Sequence, residues 1–458
     1  MFFQFTMSRG TQTIKKRYVS IIDRITIPLD DFLKNKPASG ILLFVSVVIA
    51  LVWVNFFDAE GYHHLWASEF SIKIGNFTLD KTIHHWINDG LMAVFFFMVG
   101  LEIKREILMG DLSKWSQASL PVAAAVGGML MPAAIYLFFN NGTPTEHGWG
   151  IPMATDIAFT LGVLSLFGKR VPISLKIFLT ALAIVDDLGA VLVIAFFYTD
   201  NLLFMYLEYG ALFFVILMIG NYIGIRKTWF YILIGILGLW MAFLLSGIHA
   251  TIAGVLLAFT IPVKSKINIA GFIHNTLEQI SHFRKAKKSE NRYLTEEQQE
   301  VIDNFKDVTS DIESPLQKME HRLNPFVNFF VLPLFALSNA GVLISADTFD
   351  DLISPLGMGL FFGLILGKFL GIFGFSAIMI KLGWAQLPKN TSWAHLVGAG
   401  LMAGIGFTMS IFISELAFDD LEIKELSKVA ILFTSVAAGI MGSLVIRFFT
   451  KNPLEKKS

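Results

Sequence analysis

The sequence predicts an all-α, polytopic membrane protein of about twelve transmembrane helices, and three observations carry that prediction. Of its 458 residues, 54% are hydrophobic and 16% charged, with a mean hydropathy of +0.63, a balance outside the usual range of soluble domains. Apolar runs long enough to cross a hydrocarbon core of about 30 Å recur along most of the chain. The basic residues are distributed between these runs with a marked bias to one side.

The first six runs lie near residues 40–57, 88–108, 118–139, 150–167, 173–197 and 204–225. The second six lie near 229–246, 248–262, 324–345, 356–380, 393–418 and 427–449, the seventh and eighth being nearly fused. Lys and Arg stay preferentially on the cytoplasmic side. With the N-terminus inside and twelve spans, all but five of the 36 basic residues lie in or beside cytoplasmic segments. Lys73, Lys81, Lys424 and Lys428 fall outside, and Lys368 sits near the middle of the tenth run.

The expected organisation is a cytoplasmic N-terminal segment (1–39), spans one to eight (40–262), a cytoplasmic loop (263–323), spans nine to twelve (324–450) and a cytoplasmic tail (451–458). Residues 1–39 lack the apolar core and small-residue cleavage site of a secretory signal, so the mature chain is expected to begin at Met1. In the loop, Val301, Phe305, Val308, Ile312 and Leu316 recur at helical spacing. This reads as an amphipathic helix packing on the membrane domain within a solvated linker, in preference to a partner-binding element. A formal net charge of zero without an isolated basic tract points away from nucleic acid. The absence of cysteine excludes disulfides, thiolate metal sites and cysteine nucleophiles.

The functional signal is charge inside the apolar runs. Asp186 and Asp187 lie in "ALAIVDDLGAVLV", near the middle of the fifth run. Each such group costs about 2.5–3.5 kcal/mol on insertion scales, so the pair represents about 5–7 kcal/mol if the costs add. Asp156 and Lys368 are similarly deep, whereas His249 and Glu415 lie nearer to span ends. Lys368 is twelve residues from either end of its run, about 18 Å along a helix, too far for a lysine stem to reach water. It therefore requires a buried partner. Adjacent residues on a helix point about 100° apart, so one of the two aspartates suits that partner while the other faces a cation in a cavity. Asp186 and Lys368 also fit a structural ion pair that only fixes helix register.

Asp156 lies in "GIPMATDIAFTLG", where Pro152 removes a backbone donor and Thr155 adds a hydroxyl. The eleventh run carries a similar break in "LMAGIGFTMSIFI", weakened by Gly400, Gly404 and Gly406. Interrupted helices in corresponding positions of two halves point to a transporter site, because freed carbonyls and helix ends can meet an ion there. The two breaks share a short pattern, "IAFTL" from Ile157 and "IGFTM" from Ile405, which suggests an internal repeat of spans three to five in ten to twelve.

The sequence resembles the bacterial NhaA sodium/proton antiporters. The matching stretches are "WINDGLMAVFFFMVGLEIKRE" from Trp86, "ATDIAF" from Ala154, "AIVDDLGA" from Ala183, "SGIHATIAGV" from Ser246, "LPLFALSNAGV" from Leu332, "LGKFLG" from Leu366 and "GIGFTMSIFI" from Gly404. The resemblance implies inverted repeats with two interrupted, crossing helices. It assigns Asp186 and Asp187 to the cation and proton site, Asp156 and Thr155 to the crossing, and Lys368 to the partner of Asp186. It links Glu102 and Arg105 to a cytoplasmic mouth and pH response, and His249 more loosely. These three also read as an interfacial ion pair and a helix-end histidine, and Asp89 as a cap of the second span. The 263–323 loop is longer than the family pattern leads one to expect, which bears on the pH response.

The implied activity is secondary active exchange of cytoplasmic Na⁺ or Li⁺ for external H⁺ in a bacterial inner membrane, electrogenic at two protons per Na⁺ and pH-regulated. No enzymatic activity and no cofactor are expected; the partners are the transported ions and the lipid bilayer, with a homodimer the one further assembly considered. Two rivals remain. A sodium-coupled symporter of an organic anion would need an additional solute pocket. An intramembrane aspartyl protease needs two aspartates sharing a proton across a cleft, whereas this pair is adjacent on one helix.

Overall fold

The computed structural model describes residues 36–75, 77–199, 202–286, 293–345 and 352–450. The expected cytoplasmic segment 1–39 therefore lies almost wholly outside the described residues, and the 451–458 tail lies entirely outside them.

The protein is predominantly α-helical and polytopic. Among the described residues, seven helices are long and apolar enough to cross a membrane: Ala38–Phe57, Trp115–Asn140, Ile173–Phe197, Phe204–Ile223, Thr228–Ser246, Pro355–Lys381 and Leu421–Phe449. An eighth candidate is the pair Trp393–Met402 and Phe407–Ala417, bent by 42° at its break. The remaining apolar runs fall short of a continuous apolar span for identifiable reasons. Met92–Met109 ends in the charged stretch Glu102 to Glu106. Ala250–Thr260 has only 11 residues, about 16 Å of helix. The 324–345 run contributes Leu332–Asn339 as the end of a longer helical path that starts at Pro315. The 150–167 run is divided into a 3₁₀ segment, Glu146–Met153, and a helix, Ile157–Ser165.

Large apolar side chains such as Phe138, Phe196, Ile223, Phe433 and Phe449 stand exposed on the long helices, as expected for surfaces facing lipid. Inside, Phe412 packs its ring against Phe96 and Phe335, at centroid distances of 5.4 and 6.2 Å. That contact joins Phe407–Ala417 to Met92–Met109 and Leu332–Asn339. The Trp115–Asn140 and Pro355–Lys381 helices approach closely at Gly127 and Gly371, where a Cβ on either would overlap the other's carbonyl oxygen. Small residues permit such backbone approach in membranes. Gly371→Ala is expected to lower the melting temperature of the purified protein, at a cost of about 1–3 kcal/mol typical of overpacking; an unchanged melting curve would show that the contact yields.

Two elements differ from the sequence expectation. Glu69–Ile74 and Phe77–Thr82 form an antiparallel hairpin, with Glu69 opposite Thr82, so the fold is not wholly helical. The alternation in "EFSIKI" suits a strand, and Gly75 takes the left-handed conformation at φ +63° that the turn needs. The amphipathic stripe in the 263–323 loop also divides. Glu296–Ile312 carries Val301, Phe305, Val308 and Ile312, whereas Leu316 belongs to the next helix, Pro315–Phe326. Ser314 caps that helix by accepting from the Gln317 N–H, and Pro315 starts it at its first position. Glu296–Ile312 packs against Ile269–Lys285. The loop's exit is tied back to its entry by Leu316 N–H donating to Pro262 O and by a 2.7 Å Lys266–Asp311 ion pair.

Candidate functional site

The two interruptions meet and satisfy each other's backbone. After the 3₁₀ segment containing Pro152, Ala154 is extended and the helix resumes at Ile157. The second interruption lies between Met402 and Phe407. The Asp156 N–H donates to Ile405 O at 2.8 Å, Thr160 Oγ1 to Met402 O at 3.2 Å, and Ser410 Oγ to Ile151 O at 2.9 Å. Buried backbone groups released by a broken helix need such partners, because lipid offers none. The shared pattern meets itself here: the rings of Phe159 and Phe407 lie 5.9 Å apart.

Asp156 closes both resumed helices. Its Oδ1 accepts from the Phe159 N–H at 2.9 Å, an N-cap of Ile157–Ser165. Its Oδ2 accepts from Thr408 Oγ1 at 2.6 Å and from the Thr408 N–H at 3.3 Å, in the first turn of Phe407–Ala417. One carboxylate thus faces the positive ends of two helix dipoles. Sequence reasoning missed Thr408. The available signal was its place as the fourth residue of "IGFTM", matching Thr160 in "IAFTL".

The second group of charges lies against the first break. Lys368 Nζ is 2.5 Å from Asp186 Oδ2, with the two side chains 0% and 1% exposed. The lysine also donates to Met153 O, a carbonyl at the end of the 3₁₀ segment. Thr155 Oγ1 lies 2.8 Å from Asp186 Oδ2 and 3.0 Å from Ala403 O. A hydroxyl carries one hydrogen, so Thr155 can donate to only one of them at a time. Asp186 Oδ1 is buried without a hydrogen-bond partner among the described residues. Asp187 is 4% exposed and, among the described residues, makes no side-chain hydrogen bond or ion pair.

Thr155, Asp186 and Lys368 are therefore in direct contact, Asp156 adjoins Thr155 in the chain, and Asp187 adjoins Asp186. The other candidates lie apart from that contact. Arg105 Nε is 3.0 Å from both carboxylate oxygens of Glu320 and its NH1 is 2.6 Å from Glu106, while Glu102 is 3.9 Å away. His249 precedes Ala250–Thr260 and its Nε2 lies 2.6 Å from Tyr198 O. The Tyr198 hydroxyl donates to His147 O and accepts from the Gly150 N–H, so His249 reaches the first break through a tyrosine that the sequence did not single out. Asp89 Oδ2 lies 2.7 Å from His85 Nε2, and Asp89 makes no cap.

A polytopic helical protein with three buried carboxylates and a lysine gathered where two helix breaks meet has the arrangement of a secondary transporter. Residues 30–446 match the family described as Na⁺/H⁺ antiporter 1. The chain is 47% identical over 438 residues to the Na(+)/H(+) antiporter NhaA of Oleidesulfovibrio alaskensis, covering 95% of this chain and 97% of the relative. It is 48% identical over 437 residues to the protein of the same name from Helicobacter pylori, covering 94% and 98%. The chain belongs to the Na⁺/H⁺ antiporter 1 family.

Proposed function

We propose that the protein is a secondary active antiporter that exchanges cytoplasmic Na⁺ or Li⁺ for external H⁺. The observation that carries this reading is the division of labour on Ile173–Phe197: Asp186 is ion-paired with Lys368, whereas its neighbour Asp187 has no charge partner among the described residues. An unpaired carboxylate in hydrocarbon is costly, and it is relieved either by a proton or by a metal cation. Na⁺ is a hard cation that prefers oxygen ligands, supplied here by Asp187, Asp186, the Thr155 hydroxyl and the carbonyls of the breaks. Burial favours the neutral form of a carboxyl group, so proton and cation compete for one place. With the site open to one side, Na⁺ displaces protons. After the helices rock, protons displace Na⁺ on the other side.

Two titrating groups permit two protons per Na⁺, as the family resemblance suggests, which moves one net charge per cycle. A membrane potential, worth about 2.3 kcal/mol per charge per 100 mV, then drives Na⁺ out. The reading includes twelve spans as two inverted repeats around the crossing, cytoplasmic termini, a bacterial inner membrane and a homodimer. It also gives Glu102, Arg105 and His249 a part in the pH response. The protease alternative is disfavoured because Asp186 is committed to a lysine and Asp187 is its neighbour on the same helix.

The deciding experiment is uptake of ²²Na⁺ into proteoliposomes under an imposed pH gradient with no organic solute present. Uptake that follows the gradient, and accelerates with membrane potential, supports electrogenic exchange; a requirement for an organic anion would establish the symporter instead. Thr408→Val, which leaves Asp156 without its closest hydroxyl donor, is expected to raise the KM for Na⁺ about tenfold. That is the low end of what a hydrogen bond to a charged group contributes, about 1.5 kcal/mol. Thr408→Ser should stay near the original value, and equal KM values for the two variants would discount the hydroxyl.

A further inference from the structure

Glu415 is a buried carboxylate that the exchange site leaves unused. It lies near the end of Phe407–Ala417, and its side chain is 8% exposed. Two lysines of the final helix, Leu421–Phe449, approach it: Lys428 Nζ is 2.5 Å from Oε1 and Lys424 Nζ is 3.5 Å from Oε2. The two helices are separated only by residues 418–420, where Asp420 caps the final helix through the N–H groups of Glu422 and Ile423.

Thr408 and Glu415 are seven residues apart, about two helical turns, so they lie on nearly the same face with a rise of about 10 Å between them. At one end of this half-helix, Thr408 holds Asp156. The Phe407 N–H there also donates to Ser435 Oγ of the final helix at 3.2 Å. At the other end, Glu415 is held by Lys424 and Lys428. The half-helix and the final helix are thus an antiparallel pair fastened at both ends.

We propose that Glu415 is a positioning residue for ion exchange: its ion pairs with Lys424 and Lys428 set the register of Phe407–Ala417, and through it the placement of Thr408 on Asp156. The proposal rests on reading the crossing as part of the exchange site. A cavity of about 450 Å³ lies beside the ion pairs, with Glu415, Lys424, Lys428, Glu425, His63 and His84 in its wall. His84 is held in place by Asn339, whose Oδ1 lies 3.0 Å from its Nε2. The fastening therefore borders a cavity with charged residues in its wall, and Phe412, three residues before Glu415 and on nearly the same face, packs against Phe96 and Phe335. Removing the negative charge leaves two lysines facing each other with no counter-ion between them, and the half-helix loses the attraction that fixes its outer end.

The test is Na⁺-dependent exchange in proteoliposomes reconstituted with equal amounts of full-length protein. Glu415→Gln is expected to raise the KM for Na⁺ fivefold or more while kcat stays within twofold, and Glu415→Asp, which keeps the charge, should recover most of the loss. Lys428→Gln, which leaves Lys424 to pair with Glu415, should raise KM about threefold and decides the matter if the glutamine variant at 415 does not accumulate. A Glu415→Gln protein that melts at a lower temperature but keeps the wild-type KM would overturn the proposal and leave the ion pairs a purely structural brace. An unchanged KM in Lys428→Gln, when that variant alone is available, would overturn it equally. Absence of exchange in the wild-type protein would instead sink the reading of the function itself.

Discussion

Asp187→Asn is expected to abolish Na⁺-dependent proton release from the purified protein. The amide is close in size to the carboxylate and remains polar, so the helix around it should pack as before. What it cannot do is carry a proton that a cation displaces, or offer a negative charge to Na⁺. Asp187 has no ion pair among the described residues, so no other contact needs to be rebuilt when it is neutralised. Proton release on adding NaCl, followed with a pH dye in weakly buffered detergent solution, provides the measurement. Release at the wild-type level would remove Asp187 from the exchange step.

The second large effect is expected at Lys368. Replacement by Ala removes the ammonium from Asp186 and the donor from Met153 O, leaving a buried carboxylate with only Thr155 beside it. Breaking a buried ion pair by deleting one partner destabilises by about 3–5 kcal/mol. Lys368→Ala should therefore melt well below the wild-type protein in detergent and show a displaced pH profile of exchange. Lys368→Arg keeps the charge but cannot reproduce the compact ammonium between two oxygens, so its melting temperature should fall between the other two. If Lys368→Ala changed neither stability nor pH profile, the contact with Asp186 would have no energetic weight.

The length of the apolar runs made the helical, polytopic character legible, and the depth of Lys368 in its run made a buried partner necessary. The breaks were legible too, because Pro152 and the glycines from Gly400 to Gly406 act locally on the backbone. The resemblance put the two breaks together, but which residues pair across them was not legible. Thr155 and Ala403 are 248 residues apart in the chain, and Asp156 and Thr408 are 252 apart. No local pattern encodes a bond between such positions. Tyr198 escaped notice for a related reason: its hydroxyl acts on Gly150, 48 residues away, and an aromatic residue at a span end reads as an interfacial anchor. The hairpin at Glu69–Thr82 was overlooked because its strands are only six residues each, short beside the helical runs around them. The loop stripe misled through its last member. Leu316 continues the helical spacing, yet Ser314 and Pro315 end one helix and begin another.

Because a single side chain, Asp156, completes the start of both resumed helices, segments 154–160 and 403–408 depend on one carboxylate. A chimaera that brought in a 154–160 segment without a carboxylate at position 156 would leave the Thr408 N–H and hydroxyl without their acceptor unless 403–408 were transplanted alongside.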